Sequence, residues 1–154
     1  MPTPPVFPLS HHLCFALYSA SLSMTKVYRP LLKKLGLTYP QYLVLVVLWE
    51  REKCTVSQLC EVLYLDSGTL SPLLKRLEAS LLVTRERSAS DERQVLIGLT
   101  AKGRTFQKKC AVLPECIVSA TGCSIDALND LTGQLQVLRN RLQGSVAPRS
   151  KGRQ

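Results

Sequence analysis

The hydrophobic pattern of this chain changes period just after Leu81, and that change constrains the fold more than any other feature. Before it, Leu70, Leu73, Leu74 and Leu77 recur at the spacing of one face of an amphipathic helix. After it, residues 83–87 (VTRER) and 94–99 (QVLIGL) read as two strands, and the polar run Ser88 to Arg93 between them reads as a turn. A helix is therefore followed by a β-hairpin with a long, charged tip.

The segments around this junction are helical. Thr55 and Gln58 have capping-box spacing and open a short helix through Leu65. Asp66 or Ser67 caps the next helix, and Pro72, tolerable only near a first turn, places its start close to Ser67. Residues 38–50 form a strongly apolar segment with Thr38 as its cap and Pro40 in its first turn. Residues 10–29 favour a helix, Pro30 marks a kink or end, and Gly36 breaks the pattern. Thr100 caps a helix through about Ser119 with Pro114 as a candidate kink. Ser124 opens a last helix with Leu128, Leu131, Leu135, Leu138 and Leu142 on one face.

Helix, short helix, helix, hairpin is the order of a winged helix-turn-helix. The expected fold is mainly α with a small β-hairpin wing and long helices forming a dimerisation region. A single domain spans residues 9–143, with a DNA-binding lobe about 53–100 and dimerisation helices about 9–36 and 101–143. Residues 1–8, with four prolines, are expected as an extended arm, and residues 144–154 as a disordered basic tail. The long helices have apolar faces and no other domain to cover, so a homodimer is expected. It would present two recognition helices to successive major grooves of a palindromic double-stranded DNA operator, roughly 34–36 Å apart.

Composition narrows the partner. A formal net charge of +9 suits a polyanion, most commonly nucleic acid. Yet residues 55–100 hold five bases (Lys75, Arg76, Arg85, Arg87, Arg93) and six acids (Glu61, Asp66, Glu78, Glu86, Asp91, Glu92), a net of −1. Placement rather than net charge must carry DNA binding. Ser67, Thr69 and Ser71 at the start of the recognition helix are short donors that allow close approach, and Lys75 and Arg76 follow one turn or more later. Arg93, with Arg85 and Arg87 at the strand ends, puts positive charge on the hairpin, where an arginine gains from the negative potential of a minor groove.

No apolar run approaches the ~20 residues of a membrane span, and the N-terminus lacks a secretory pattern, so a cytoplasmic protein without membrane partners is expected. The six cysteines then read as thiols. No CxxC pair or Cys/His cluster is present, and neither a metal nor a cofactor is expected. Cys54 and Cys60 read as packing residues. Cys14, taken alone, reads as a small buried hydrophobe.

Three segments carry a family resemblance: LCFALYSASLSMTKVYRPLLKKLGLTYPQYLVLVVLWE (13–50), LDSGTLSPLLKRLEA (65–79) and DERQVLIGLTAKG (91–103). Together they resemble the organic-hydroperoxide-sensing repressors of the MarR family, the OhrR-like group, over about residues 9–143. The resemblance implies a homodimeric redox-sensing repressor whose reduced form binds DNA and is released when an organic hydroperoxide oxidises a cysteine, here Cys14. It implies a thiolate-supporting pocket of Tyr18, Tyr28 and Tyr39, and a wing whose DxR motif uses Asp91 as support for Arg93. Cys14 and Tyr28 are fourteen residues apart, about 21 Å along a straight helix, so if they meet the tyrosine comes from the partner subunit.

In two-cysteine members of the family a second thiol near residue 119 resolves the oxidised sensor. Here Ser119 occupies that position, flanked by Cys116 and Cys123, and either of these, with Cys123 preferred, or a small cellular thiol is a candidate resolving group; Cys110 is a weaker one. The family often has glycine at the position of Leu81, so either this turn differs or about 1 kcal/mol of left-handed strain is accepted. Two alternatives stay open: a thiol peroxidase that turns over at Cys14, and a MarR-type regulator of another oxidant or a small aromatic ligand.

Overall fold

The computed structural model describes residues 7–146. They divide into two compact units, one through Leu113 and one from Pro114 onward. The first contains α1 (Leu13–Lys34), α2 (Tyr39–Arg51), β1 (Lys53–Thr55), α3 (Val56–Leu63), α4 (Ser67–Ala79), β2 (Val83–Arg87), β3 (Val95–Leu99) and α5 (Ala101–Cys110). α6 (Leu113–Thr121) begins at the boundary, and α7 (Ile125–Val146) lies in the second unit.

α2 is the central element of the first unit. Val44, Leu45, Val47 and Leu48 are buried together with Gln41 and Tyr42, so the helix is enclosed on most sides, as its nearly continuous apolar sequence requires. Thr38 caps it as expected, and Gln41 completes a capping box: its side chain accepts from the Thr38 amide at 2.9 Å. Thr55 and Gln58 do the same for α3. Leu59 from α3 and Leu70, Leu74 and Leu77 from α4 pack into the same core.

Three helices of this unit end in one hydrogen-bond pattern. The Leu37, Leu65 and Leu82 amides each donate five residues back, to Leu32, Cys60 and Leu77 carbonyls, and the Gly36, Tyr64 and Leu81 amides donate three back, to Lys33, Glu61 and Glu78. This is the Schellman arrangement, whose penultimate residue must be left-handed. Gly36 takes φ +70° without strain, whereas Tyr64 (+55°) and Leu81 (+59°) pay for a Cβ there. The turn at Leu81 is thus kept and the strain accepted.

The structure departs from the sequence reading in four places. α1 starts at Leu13, after a 3-10 turn at Leu9–His11, and continues through Pro30 to Lys34. Its last turn is anchored by buried Leu32 and by the bonds at Gly36 and Leu37, so losing one amide at Pro30 does not end it. The wing is a three-stranded antiparallel sheet in the order β1-β3-β2, because Lys53–Thr55 pairs with β3 at Cys54↔Ile97; three residues are too few to show a period. The helix expected from Thr100 to Ser119 is two helices, α5 ending at Cys110, and Pro114 lies in the first turn of α6 rather than at a kink. In the second unit α7 runs through Val146, so residues 144–146 are helical rather than part of a disordered tail.

Ser124 opens α7, its hydroxyl accepting from the Ala127 amide at 3.2 Å. α7 buries none of its residues, and Leu131, Leu135 and Leu142 lie exposed on it. Residues 1–6 of the expected arm and 147–154 of the expected tail lie outside the described residues. Among the described residues no single helix is long and apolar enough to cross a membrane.

Candidate functional site

Two features of the first unit carry the chemistry. One is the outer face of α4 with the wing. Leu70, Leu74 and Leu77 point inward, and at 100° per residue the opposite side carries Gly68, Pro72, Lys75 and Ala79, flanked by Thr69, Ser71 and Arg76. No large apolar side chain stands on that side, so the helix can approach a groove closely. Ser67, Thr69, Lys75 and Arg76 are exposed and Ser71 is half-buried. Asp66 fixes the start of the helix: its carboxylate accepts from the Thr69 amide at 2.7 Å, and that bond holds its carboxyl below the ordinary aspartate value.

At the wing tip Asp91 folds the chain under Arg93. Its Oδ1 accepts from the Arg93 amide at 3.0 Å and its carbonyl from the Gln94 amide at 2.9 Å, while Gln94 returns a bond from Ser88 at 2.9 Å. Arg93 stands exposed on this turn, and Arg85 is half-buried on β2 opposite Ile97.

The base of the wing is tied to the end of α4 through the Leu99-Thr-Ala-Lys-Gly103 segment. Thr100 Oγ1 donates to the Leu81 carbonyl (2.6 Å) and Lys102 Nζ to the Ser80 carbonyl (2.9 Å), and the Thr100 amide donates to the Leu82 carbonyl (3.1 Å). Gly103 sits against Leu82 so closely that a Cβ would overlap its carbonyl oxygen. That accounts physically for a threonine and a glycine three residues apart.

The second feature is a half-open cavity of about 460 Å³ where α1 meets α2. Tyr28 and Tyr39 line it together with Thr25, Arg29, Leu32 and Lys33. The two tyrosine rings lie 4.7 Å apart, and Tyr42 joins them at 6.1 Å from Tyr28. Burial, then the neighbouring Tyr39, pushes the Tyr28 hydroxyl up to about 12, and burial also raises Tyr39. Both therefore remain protonated O–H donors at neutral pH.

Tyr18 is not part of this cluster: it is 61% exposed, one turn after Cys14 on α1. Cys14 is itself exposed, not buried as a free cysteine usually is. Sequence reasoning missed Tyr42 and Trp49, although their positions three and ten residues after Tyr39 on one helix were a usable signal. Trp49 packs 6.3 Å from Tyr42 and donates through Nε1 to the Gly103 carbonyl at 3.0 Å, so α2 links the cavity to the base of the wing.

Cys54 is buried and Cys60 packs against the core, as their reading required. In the second unit Cys116 is half-buried on α6. α6 stops at Thr121, so Cys123 does not share its face; it lies beyond the left-handed Gly122, with its thiol donating to the Thr121 carbonyl at 3.5 Å.

A family model described as transcriptional regulator SarA/Rot matches residues 26–110. The chain is 49% identical over 134 residues to an organic hydroperoxide resistance transcriptional regulator of Bacillus subtilis, covering 87% of this chain and 91% of that protein. The chain belongs to the MarR family of winged-helix transcriptional regulators. Among solved structures of the same type is AbfR of Staphylococcus epidermidis. Reduced AbfR bound to DNA is 40% identical with a TM-score of 0.72, covering 87% of this chain and 94% of that one. The disulfide form of AbfR is 38% identical with a TM-score of 0.61, covering 90% and 92%.

Proposed function

We propose that this MarR-family chain is a redox-sensing DNA-binding repressor, working as a cytoplasmic homodimer on a palindromic operator, with Cys14 as its sensor. The observation that carries the reading is the separation on α1: the Tyr28–Tyr39 pair faces a cavity at one end, while Cys14 is exposed at the other, about 21 Å along the axis. One chain cannot bring them together. A partner's α1 running the other way can, which makes the sensor a property of the dimer.

Tyrosine O–H groups donating to sulfur favour thiolate, the species a peroxide oxidises. The thiolate attacks the terminal peroxide oxygen, the O–O bond breaks, and the leaving alkoxide takes a proton to become the alcohol. Sulfur, now sulfenic acid, is the group oxidised and the peroxide the group reduced. Condensation with a second thiol, from Cys123, Cys116 or a small cellular thiol, then forms a disulfide and releases water.

Either product changes how two subunits meet at the cavity, and α2 carries that change through Trp49 and Gly103 to the end of α4. The spacing of two recognition helices is the quantity altered. DNA is read by Ser67, Thr69, Ser71, Lys75 and Arg76 on α4 and by Arg85 and Arg93 on the wing, with Asp91 holding the tip.

The test is operator binding by the reduced protein with and without cumene hydroperoxide, in wild type and Cys14→Ser. Wild type should dissociate on oxidation, and Cys14→Ser should stay bound. Release of Cys14→Ser by the oxidant would remove Cys14 as the sensor. Turnover of excess hydroperoxide by substoichiometric protein with a thiol reductant would instead support a peroxidase.

A further inference from the structure

The first acidic residue of the chain is Glu50. Before it stand Lys26, Arg29, Lys33 and Lys34, with no acidic residue among them in the sequence. Two of these cations, Arg29 and Lys33, line the α1–α2 cavity one helical turn apart. Leu32, Leu37 and Pro40 supply apolar wall, and Thr25, Thr38 and the two tyrosines supply hydroxyls. No acid lines it. A concave site with apolar walls and uncompensated positive charge at one side concentrates anionic amphiphiles. Its volume, about 460 Å³, suits one small organic molecule.

We infer that this cavity selects hydroperoxides bearing a carboxylate, with Arg29 and Lys33 holding the carboxylate while the peroxide end reaches the sensor sulfur. The inference rests on the cavity being the sensor pocket. It makes Arg29 and Lys33 specificity-determining residues that take no part in bond breaking. A guanidinium presents paired donors to a carboxylate, whereas an ammonium acts as a point charge, so Arg29 orients and Lys33 attracts.

The experiment uses two peroxides of one shape: cumene hydroperoxide carrying a para-carboxylate, and the same molecule carrying a para-carboxamide. Rates of Cys14 oxidation are measured by stopped flow on the full chain, at low and at high salt. The carboxylate should react at least about tenfold faster at low salt, the lower end of electrostatic steering, and lose most of that advantage near 1 M salt. In Arg29→Gln/Lys33→Gln the two rates should converge, by a fall in the carboxylate rate alone. Equal rates in wild type, or an unchanged ratio in the double variant, overturn the inference. A parallel fall for both peroxides assigns the cations to activating the sulfur and also overturns it. Failure of both peroxides to oxidise Cys14 refutes the sensor reading itself, a distinct result.

Discussion

Gly103→Ala is expected to destabilise the protein by about 3–5 kcal/mol, although it adds only a methyl group to a helix. The added Cβ overlaps the Leu82 carbonyl, which is backbone and cannot rotate away. The first turn of α5 must retreat, and three bonds depend on it: Thr100 N to Leu82, Thr100 Oγ1 to Leu81, and Trp49 Nε1 to Gly103. At about 1 kcal/mol each, loosening two or three costs about 2–3 kcal/mol. Disturbed packing at Leu82 and Leu99, both buried, adds about 1–2 kcal/mol. Against a typical total of about 5–15 kcal/mol, this is a large fraction. Urea unfolding at one fixed protein concentration measures it, since a dimer's stability depends on concentration. The control is Gly144→Ala on α7, beyond the stretch assigned to dimerisation, where nothing lies within 4 Å of the added Cβ. Relief of glycine's helix penalty should stabilise that variant by up to about 1 kcal/mol. A loss below about 1 kcal/mol for Gly103→Ala, or equal effects of the two substitutions, would refute the close-approach argument.

Leu81→Gly should exceed Leu81→Ala in stability by about 0.5–1 kcal/mol, because alanine keeps the left-handed cost and glycine does not; thermal melts with alanine at or above glycine sink this. Asp66 has a depressed folded-state value, so its charge contributes stability above the unfolded value near about 4, and that contribution fades as pH falls through the folded value. The stability gap between wild type and Asp66→Asn should accordingly be flat above about pH 5 and shrink below about pH 4 in acid titrations followed by circular dichroism. Tyr28→Phe should slow Cys14 oxidation by roughly tenfold, the worth of one hydrogen bond to a charged sulfur at about 1.5 kcal/mol, while leaving operator affinity of the reduced protein unchanged; an unaltered oxidation rate excludes Tyr28 as a donor. Arg93→Ala should weaken operator binding by about 1–3 kcal/mol and lower its salt dependence, and full affinity in titrations would remove the wing from the DNA contact.

Much of the fold was legible because its signals are local. The caps at Thr38, Thr55, Asp66 and Thr100 are side chains bonding amides three residues ahead; three lie where the sequence placed them, and the structure decides for Asp66 over Ser67. β1 was not legible: Lys53–Thr55 exists as a strand only because β3 is beside it. The break at residues 111–112 was not legible, because Pro114 just beyond it fits a first turn as well as a kink.

The sequence by itself determined the order of helices and hairpin, the family, and the residue types available to each site, since periodicity and capping act over a few residues. Tertiary structure alone decided which of these meet. It joined Tyr28 and Tyr39, eleven residues apart on different helices, and left Tyr18 outside. It set Gly103 against Leu82 and Trp49 against Gly103, contacts between residues far apart in the chain. It gathered Arg29 and Lys33 beside an apolar wall, which turned two ordinary surface charges into part of a cavity. Such placements depend on how helices pack, and packing is fixed by the whole core rather than by any one segment.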